Sequence, residues 1–577
     1  MSLNIQNDLQ QPVASLIDDL KCDDVGRQVA AVSKLHTVAV ALGPDRSRSE
    51  LITFIQTSML NEEDEVAAEL AGQLDSTFLK LLGGQQPGEN FHLLTPIYEA
   101  LLGSEESTVR NKTVASIKDV LDTIDHAQVT EHVFKLFDRL SSSTEWFTKK
   151  SCAASLAGIL ISYLGKSERD RVMERFRTSL FPDENPIVRR AALMACKSIF
   201  SNNDLFSNNQ SSSLEWLEML KTVINDPQDS VRLLIVEPLA LIGQFLDHAT
   251  QIDQIYPLEI QLIGDMSWRV RYMAATAYPE LMRGVGLEIP DFNPLIAFCS
   301  LLTDYEAEVR VAAAGQIARV AELWPVEATF TEGLLPTLRQ LVIDQNQEVR
   351  AALALQLNSL SQVAGKEATM SELLPLFLQL FQDDSSKVRL NVISRLDVIN
   401  RVIGVEHLSQ ALVPAIVKLT EDALWTVRQA IIEYIPVVSE HLGVQFFDSQ
   451  LLNICAGLLD DPVYAVRQST IALFEKIGSL FGTRHFAEKC FPVIVKYAEH
   501  TNYLRRITFL MAVAKCASIF TEIDQSVWFP SVERLSKDPI ANVRINAAKV
   551  AKKLPFMGDI LGRLREDEDE DVRFYAS

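Results

Sequence analysis

The sequence predicts an all-α solenoid, a superhelical stack of about fifteen helical hairpins, and three observations carry that expectation. A Val-Arg pair recurs at Val109, Val188, Val231, Val270, Val309, Val349, Val388, Val427, Val466, Val543 and Val572, and from Val231 to Val466 the step is 39 or 40 residues. An aspartate stands five residues before most of these valines, as at Asp265, Asp304, Asp344, Asp383, Asp422 and Asp461. Between these marks apolar residues fall at helical spacing, as in Leu373, Leu374, Leu376 and Phe377 and then Val388, Leu390, Ile393 and Leu396. A fixed period of this length means stacked copies of one supersecondary unit.

Each unit reads as two helices joined by a turn. Proline thirteen residues before the valine (Pro96, Pro257, Pro336, Pro375, Pro414, Pro530) removes a backbone donor and is expected to bend the first helix. Aspartate ends that helix in a turn, because a short carboxylate accepts backbone N–H bonds. Valine opens the second helix on its buried face. Arginine beside it reaches the acidic position of an adjacent unit, so Asp265, Arg271, Asp304, Arg310, Asp344, Arg350, Asp383, Arg389, Asp422 and Arg428 are expected to form a ladder down the stack. Glycine sixteen residues after the valine (Gly286, Gly365, Gly404, Gly443, Gly482) closes the second helix in the left-handed conformation.

The ends of the chain are less regular but keep the phase. Val25 and Val66 open the first units, and Trp146-Phe147-Thr148 fills the gap between Val109 and Val188, with Phe147 near the valine position. Leu504-Arg505 stands where a Val-Arg pair is due between Val466 and Val543. The last step, Val543 to Val572, is 29 residues, so the final unit is short and leaves no room for a full second helix. Gly83–Gly88 and Ser201–Ser213 read as connections between units, and the acidic run Glu566–Asp571 as a solvated turn.

Composition narrows the functional class. The formal charge of −22 over 577 residues argues against a nucleic-acid binder, which must neutralise phosphates. No apolar run reaches the ~20 residues of a membrane span, and the polar Met1–Gln11 shows no signal peptide. Seven scattered cysteines without a Cys-x-x-Cys pair read as buried thiols of an intracellular protein; the expected location is cytoplasmic, with the nucleus as a second.

No nucleotide-binding, zinc-protease or nucleophile-elbow motif occurs, so no catalytic residues and no cofactor are expected. Four Glu-His pairs, Glu131-His132, Glu406-His407, Glu440-His441 and Glu499-His500, invite a metal reading of the kind seen in helical-repeat di-iron hydroxylases. The histidines fall at different phases of the repeat, so they do not converge on one metal. The stronger signal lies in the turns. Trp146, Trp268, Trp425, Tyr464 and Tyr503 stand one or two residues before the second helix, where turns ordinarily carry small polar residues. Large aromatics along one edge, beside charged residues, match the composition of protein-binding hot spots.

Specific strings then give a resemblance. Asp229-Ser230-Val231-Arg232-Leu233-Leu234, Ser267-Trp268-Arg269-Val270-Arg271-Tyr272-Met273, Leu442-Gly443-Val444-Gln445-Phe446-Phe447-Asp448 and Asp538-Pro539-Ile540-Ala541-Asn542-Val543-Arg544 resemble the HEAT-repeat scaffold (A) subunits of protein phosphatase 2A. The resemblance runs over essentially the whole chain and implies one solenoid across 1–577, without catalysis of its own. In that family the turn edge of the last repeats, here 406–577, holds the phosphatase catalytic subunit, and the matching residues are Trp425, Thr426, Tyr464, Tyr503 and Ile540. The earlier repeats, here 1–405, receive interchangeable regulatory B-type subunits, and the matching residues are Glu105, Glu106, Trp146, Phe147, Pro186, Ile187, Trp268 and Arg269. Thr426 departs from the family, which has a basic residue there. The resemblance thus implies a heterotrimer member, and with the acidic charge no nucleic-acid binding and no membrane insertion are expected. The rival is an importin-type HEAT transport receptor, which takes basic cargo on its second-helix face.

Overall fold

The computed structural model describes residues 15–577 apart from 85–87, 145, 207–209, 284–292, 325–332, 395 and 405–413. Helices and their connecting turns account for the described residues, with no strand among them. The chain divides into two compact units, Met1–Val285 and Gly286–Ser577. Among the described residues the first unit holds seven helical hairpins and the second eight, numbered here one to fifteen in chain order. The boundary at 405/406 expected from partner assignment falls within residues that lie outside the described ones.

Hairpin 11 shows how sequence becomes structure. The carboxylate of Asp422 accepts the Leu424 N–H at 2.9 Å, which fixes the turn and starts the second helix at Trp425. Along Trp425–Leu442 one face, Val427, Ile431, Ile432, Ile435 and Val438, is buried. Gly443 ends the helix at φ +81°, and its N–H returns to the Ser439 carbonyl at 3.0 Å. A side chain at that φ costs about 1–2 kcal/mol, which explains glycine here and at Gly482 (φ +87°). Gly286 lies outside the described residues.

The period records the core. Val66, Val109, Val188, Val231, Val270, Val309, Val349, Val388, Val427, Val466, Val543 and Val572 are each fully buried, a contribution of about 1.5–3 kcal/mol apiece. Larger side chains fill the space between helices, among them Tyr98, Trp216, Tyr278 and Trp528.

The first helices correct one expectation. Pro530 lies inside its helix, Gln525–Leu535, as expected, and Pro96 follows a 3-10 turn, but Pro257, Pro375 and Pro492 sit at the start of the α-helical part, directly after a wide π-helical turn. Thr369–Leu373 precedes Leu374-Pro375, Gln251–Ile255 precedes Tyr256-Pro257, and Phe486–Cys490 precedes Phe491-Pro492. The same turn occurs at Phe447–Leu451, which Leu452-Asn453 follows. The widening therefore belongs to the repeat, and proline occupies a place where its missing donor costs little. Hairpin 15 is short in both arms, Gly558–Leu564 and Glu570–Ala576, yet Val572 and Ala576 are fully buried.

Candidate partner-binding edge

The turns between first and second helices are tied to one another by a repeated polar joint. Asp265 makes three kinds of contact at once. Its Oδ1 accepts the Ser267 N–H at 2.7 Å, its two carboxylate oxygens accept Nε and Nη2 of Arg232 from the preceding hairpin at 2.8 Å, and its carbonyl accepts Nη1 of Arg271 at 2.7 Å. One carboxylate thus caps its own turn and pairs bidentately with the neighbour, the geometry in which arginine bonds are strongest. Burial alone would raise Asp265, but these bonds and the adjacent guanidinium charges hold it below its ordinary range.

The joint recurs within each compact unit. In the first, Lys150 reaches Asp183 at 2.8 Å and Arg189 reaches Asp226 at 2.7 Å. In the second, Arg310 reaches Asp344 at 2.8 Å, Arg350 reaches Asp383 at 2.6 Å, Arg389 reaches Asp422 at 2.7 Å and Arg428 reaches Asp461 at 2.7 Å. Asp304 caps its own turn through the Glu306 N–H at 2.9 Å. Past hairpin 12 the series resumes with Arg506–Asp538 at 2.7 Å and Arg544–Asp567 at 2.8 Å, and Arg544 holds Asp567 below its ordinary range. Consecutive turns thus stand side by side at fixed register.

The aromatics sit on this edge, with one correction to their position. Trp268, Trp425, Tyr464 and Tyr503 do not precede the second helix but are its first residue, and Trp146 is the N-cap of a helix that Phe147 begins. All are exposed, Trp425 at 39% and Tyr464 at 55%. At a helix start the backbone holds each ring over its own turn instead of in the core. Because the Arg428–Asp461 pair aligns hairpins 11 and 12, Trp425 and Tyr464 occupy the same place in adjacent turns. Ile540, exposed, is the N-cap of hairpin 14, and Thr426 is half-buried beside Trp425.

In the first compact unit, Glu106 caps Ser107–Leu121 by accepting the Thr108 N–H at 3.1 Å, and this bond holds its carboxyl below the ordinary range. Glu105 beside it is exposed. Ile187 is exposed and Pro186 half-buried at the start of Pro186–Phe200. Arg269 lies over the Trp268 ring, 5.8 Å from its centroid, and 3.9 Å from Asp229.

Three features were missed in the sequence. Met266 and Tyr305, each directly after its turn aspartate, are 92% and 99% exposed. The signal was available, since the equivalent turns carry Glu184, Pro227, Asp384, Ala423 and Pro462. The third is a register shift in hairpin 13. Arg506, not Arg505, makes the pair to Asp538, and its Nη1 donates to the carbonyls of His500 and Thr501 at 2.9 Å. Arg428 likewise bonds Asp422 and Ala423, six and five residues back. Arg505 instead pairs with Asp460. The shift places Tyr503 in strict equivalence with Trp425 and Tyr464.

Among the described residues no group of three His, Cys, Asp or Glu side chains is placed to hold a metal, and no helix is long and apolar enough to cross a membrane. His407 lies outside the described residues. Burial pushes Cys152, Cys455, Cys490 and Cys516 up to about 12, leaving thiols that stay protonated and unreactive. A groove of about 810 Å³ runs along the second helices of hairpins 11–14, and Lys515, Lys549, Lys552 and Lys553 line it with no acidic residue among its lining side chains.

The fold defines a HEAT-repeat α-solenoid, and residues 295–365 match the family model described as PPP2R1A-like HEAT repeat. Its curated relatives are regulatory A-type subunits of protein phosphatase 2A. The chain is 37% identical over 289 residues to the regulatory A-type subunit of protein phosphatase PP2A from Schizosaccharomyces pombe, covering 49% of this chain and 46% of that one. It is 38% identical over 371 residues to the beta isoform of the 65 kDa regulatory A-type subunit of serine/threonine-protein phosphatase 2A from Homo sapiens, covering 64% and 60%. The chain thus spans about half the length of the curated relatives it matches. Among solved structures yeast importin-β (Kap95p) shares the fold alone, with a TM-score of 0.59 at 13% identity over 100% of this chain and 78% of that one.

Proposed function

We propose that this chain is the non-catalytic scaffold of a protein phosphatase 2A heterotrimer, holding a catalytic and an interchangeable regulatory subunit on its turn edge. The observation that carries the reading is the row of Trp425, Tyr464 and Tyr503, each exposed and each the first residue of its helix in successive turns. With Thr426 and Ile540 they form the catalytic-subunit surface of 406–577. Glu105, Glu106, Trp146, Phe147, Pro186, Ile187, Trp268 and Arg269 form the regulatory-subunit surface of 1–405. Large rings held rigidly at helix starts lose little conformational freedom on docking, which is what interface anchors require. Holding substrate selector and phosphatase on one chain raises the effective concentration of substrate at the active site. Cytoplasmic and nuclear location belongs to the same proposal.

The relatives' names support this reading. An importin-type receptor taking basic cargo on its second-helix face is opposed by the lysines that line that face in hairpins 13 and 14. The test is capture of purified phosphatase catalytic subunit by the wild-type chain and by a Trp425→Ala, Tyr464→Ala variant. Capture by wild type and loss in the variant support role and surface together. Equal capture by both refutes the surface, and no capture by either refutes the role.

A further inference from the structure

The groove along hairpins 11–14 is a second candidate surface, running along the second helices and meeting the turn edge at Tyr464. Its floor is apolar and comes from the second helices of hairpins 12 and 13, where Ile471 and Ala472 face Leu510 and Met511. Its rim is basic, because Lys515, Lys549, Lys552 and Lys553 all line it and all are exposed. In a chain with 76 acidic and 54 basic residues, a lining of four lysines and no carboxylate reverses the prevailing charge. Of the four, Lys515 has a carboxylate partner, while the contacts of Lys549 and Lys553 leave their charge in place. Glu475 pairs with Lys515 at 3.0 Å, Lys553 donates to the Ala514 carbonyl at 3.0 Å, and Lys549 lies over the Tyr575 ring, 4.5 Å from its centroid.

A separate observation adds positive charge at the Tyr464 end. Every paired joint described above from hairpin 8 onward puts an aspartate against the preceding arginine, but hairpin 13 has His500 in that place. Its Nδ1 accepts the Asn502 N–H at 3.0 Å, so the ring keeps the turn that an aspartate would cap. It supplies no carboxylate for Arg467. That arginine is only 7% exposed, its Nη1 is used by the carbonyls of Asp461 and Pro462, and its buried Nε has no acceptor. The guanidinium lies 5.8 Å from the centroid of the Tyr464 ring, which itself lines the groove. A poorly solvated, uncompensated cation beneath one end strengthens the field that the lysines set at the other.

We propose that this groove binds an acidic segment of a partner protein, a stretch of Asp and Glu interleaved with large apolar side chains. The apolar residues would seat between the second helices of hairpins 12 and 13 and the carboxylates along the lysine rim. This goes beyond the scaffold reading and does not depend on it, since the groove runs along the second helices and meets the turn edge at Tyr464.

The experiment is fluorescence polarisation with the full chain and a labelled synthetic peptide of alternating Asp/Glu and Leu/Phe. The expected result is saturable binding that weakens steeply with added salt and falls at least about tenfold in a Lys549→Glu, Lys552→Glu variant. Both lysines are exposed, and unchanged circular dichroism and melting establish that the variant is folded. A phosphoserine peptide without Asp or Glu, and a single-stranded RNA, serve as competitors. Binding that is insensitive to the double substitution, or displacement by either competitor more readily than by unlabelled acidic peptide, overturns the proposal.

Discussion

Replacing His500 by aspartate should stabilise the chain by completing its missing joint. In the intact joint one repeat earlier, Arg428 gives Nε and Nη2 to the two oxygens of Asp461 at 2.7 and 2.9 Å, while Asp461 caps its turn through the Val463 N–H at 2.8 Å. His500 already accepts the equivalent turn N–H, from Asn502, so His500→Asp keeps the cap and adds a carboxylate for Arg467. Charge-assisted hydrogen bonds contribute about 1.5–3 kcal/mol each, and desolvating the new carboxylate offsets part of that. A net gain of about 1–3 kcal/mol follows from those two terms. The new aspartate is held below its ordinary value by Arg467, so the gain is present above the unfolded range of about 4 and lost as pH falls through the folded value. Because each repeat contacts only its neighbours, slower amide hydrogen exchange should concentrate in hairpins 12 and 13. Urea unfolding at neutral and acid pH, with exchange mass spectrometry, measures both effects, and His500→Asn separates charge from cap. If His500→Asp gives no stabilisation, or His500→Asn gives as much, the reasoning about Arg467 is wrong.

Three other substitutions test different terms. Arg428→Ala strands the carboxylate of Asp461, which is 8% exposed, and should cost about 3–5 kcal/mol in urea unfolding, as breaking a buried pair does. Glu259 is buried, its Oε2 has no partner, and burial raises its carboxyl well above the ordinary range. Its folded form keeps a proton that the unfolded form gives up above about 4.3, so stability is complete below that value and declines as pH rises toward the folded one. Glu259→Gln should therefore match wild type in acid and exceed it at alkaline pH in the same unfolding assay. Thr426→Arg should strengthen capture of the phosphatase catalytic subunit, and unchanged affinity would show that this position makes no charged contact there.

How much could be read before the structure depended on burial. The valine period was plain because a fully buried position opposite a neighbouring helix tolerates few side chains, and a repeat carries that restriction forward every 39 or 40 residues. The aspartate and arginine marks were legible for the related reason that one carboxylate serves two hairpins. Hairpin 13 misled because Leu504-Arg505 imitates Val-Arg in sequence, and only the carbonyls six and five residues behind Arg506 reveal the true register. A histidine that caps a turn leaves no periodic trace of the carboxylate it displaces. Met266 and Tyr305 escaped for the opposite reason, since an exposed turn position has no packing partner to restrict it.

That difference bears on where binding determinants can vary. Positions inside the joint are coupled to two hairpins, so a change there alters the stack as well as the surface, as His500 does through Arg467. Apart from Tyr464, whose ring lies against Arg467, the exposed first residues Trp425 and Tyr503 make no bond in the joint, and their side chains can change with little effect on the fold. Trp425 and Tyr503 are therefore held in place by the turn joints without being needed by them. An edge built this way keeps its geometry while its contact chemistry changes from turn to turn, and Thr426 beside Trp425 is one such change.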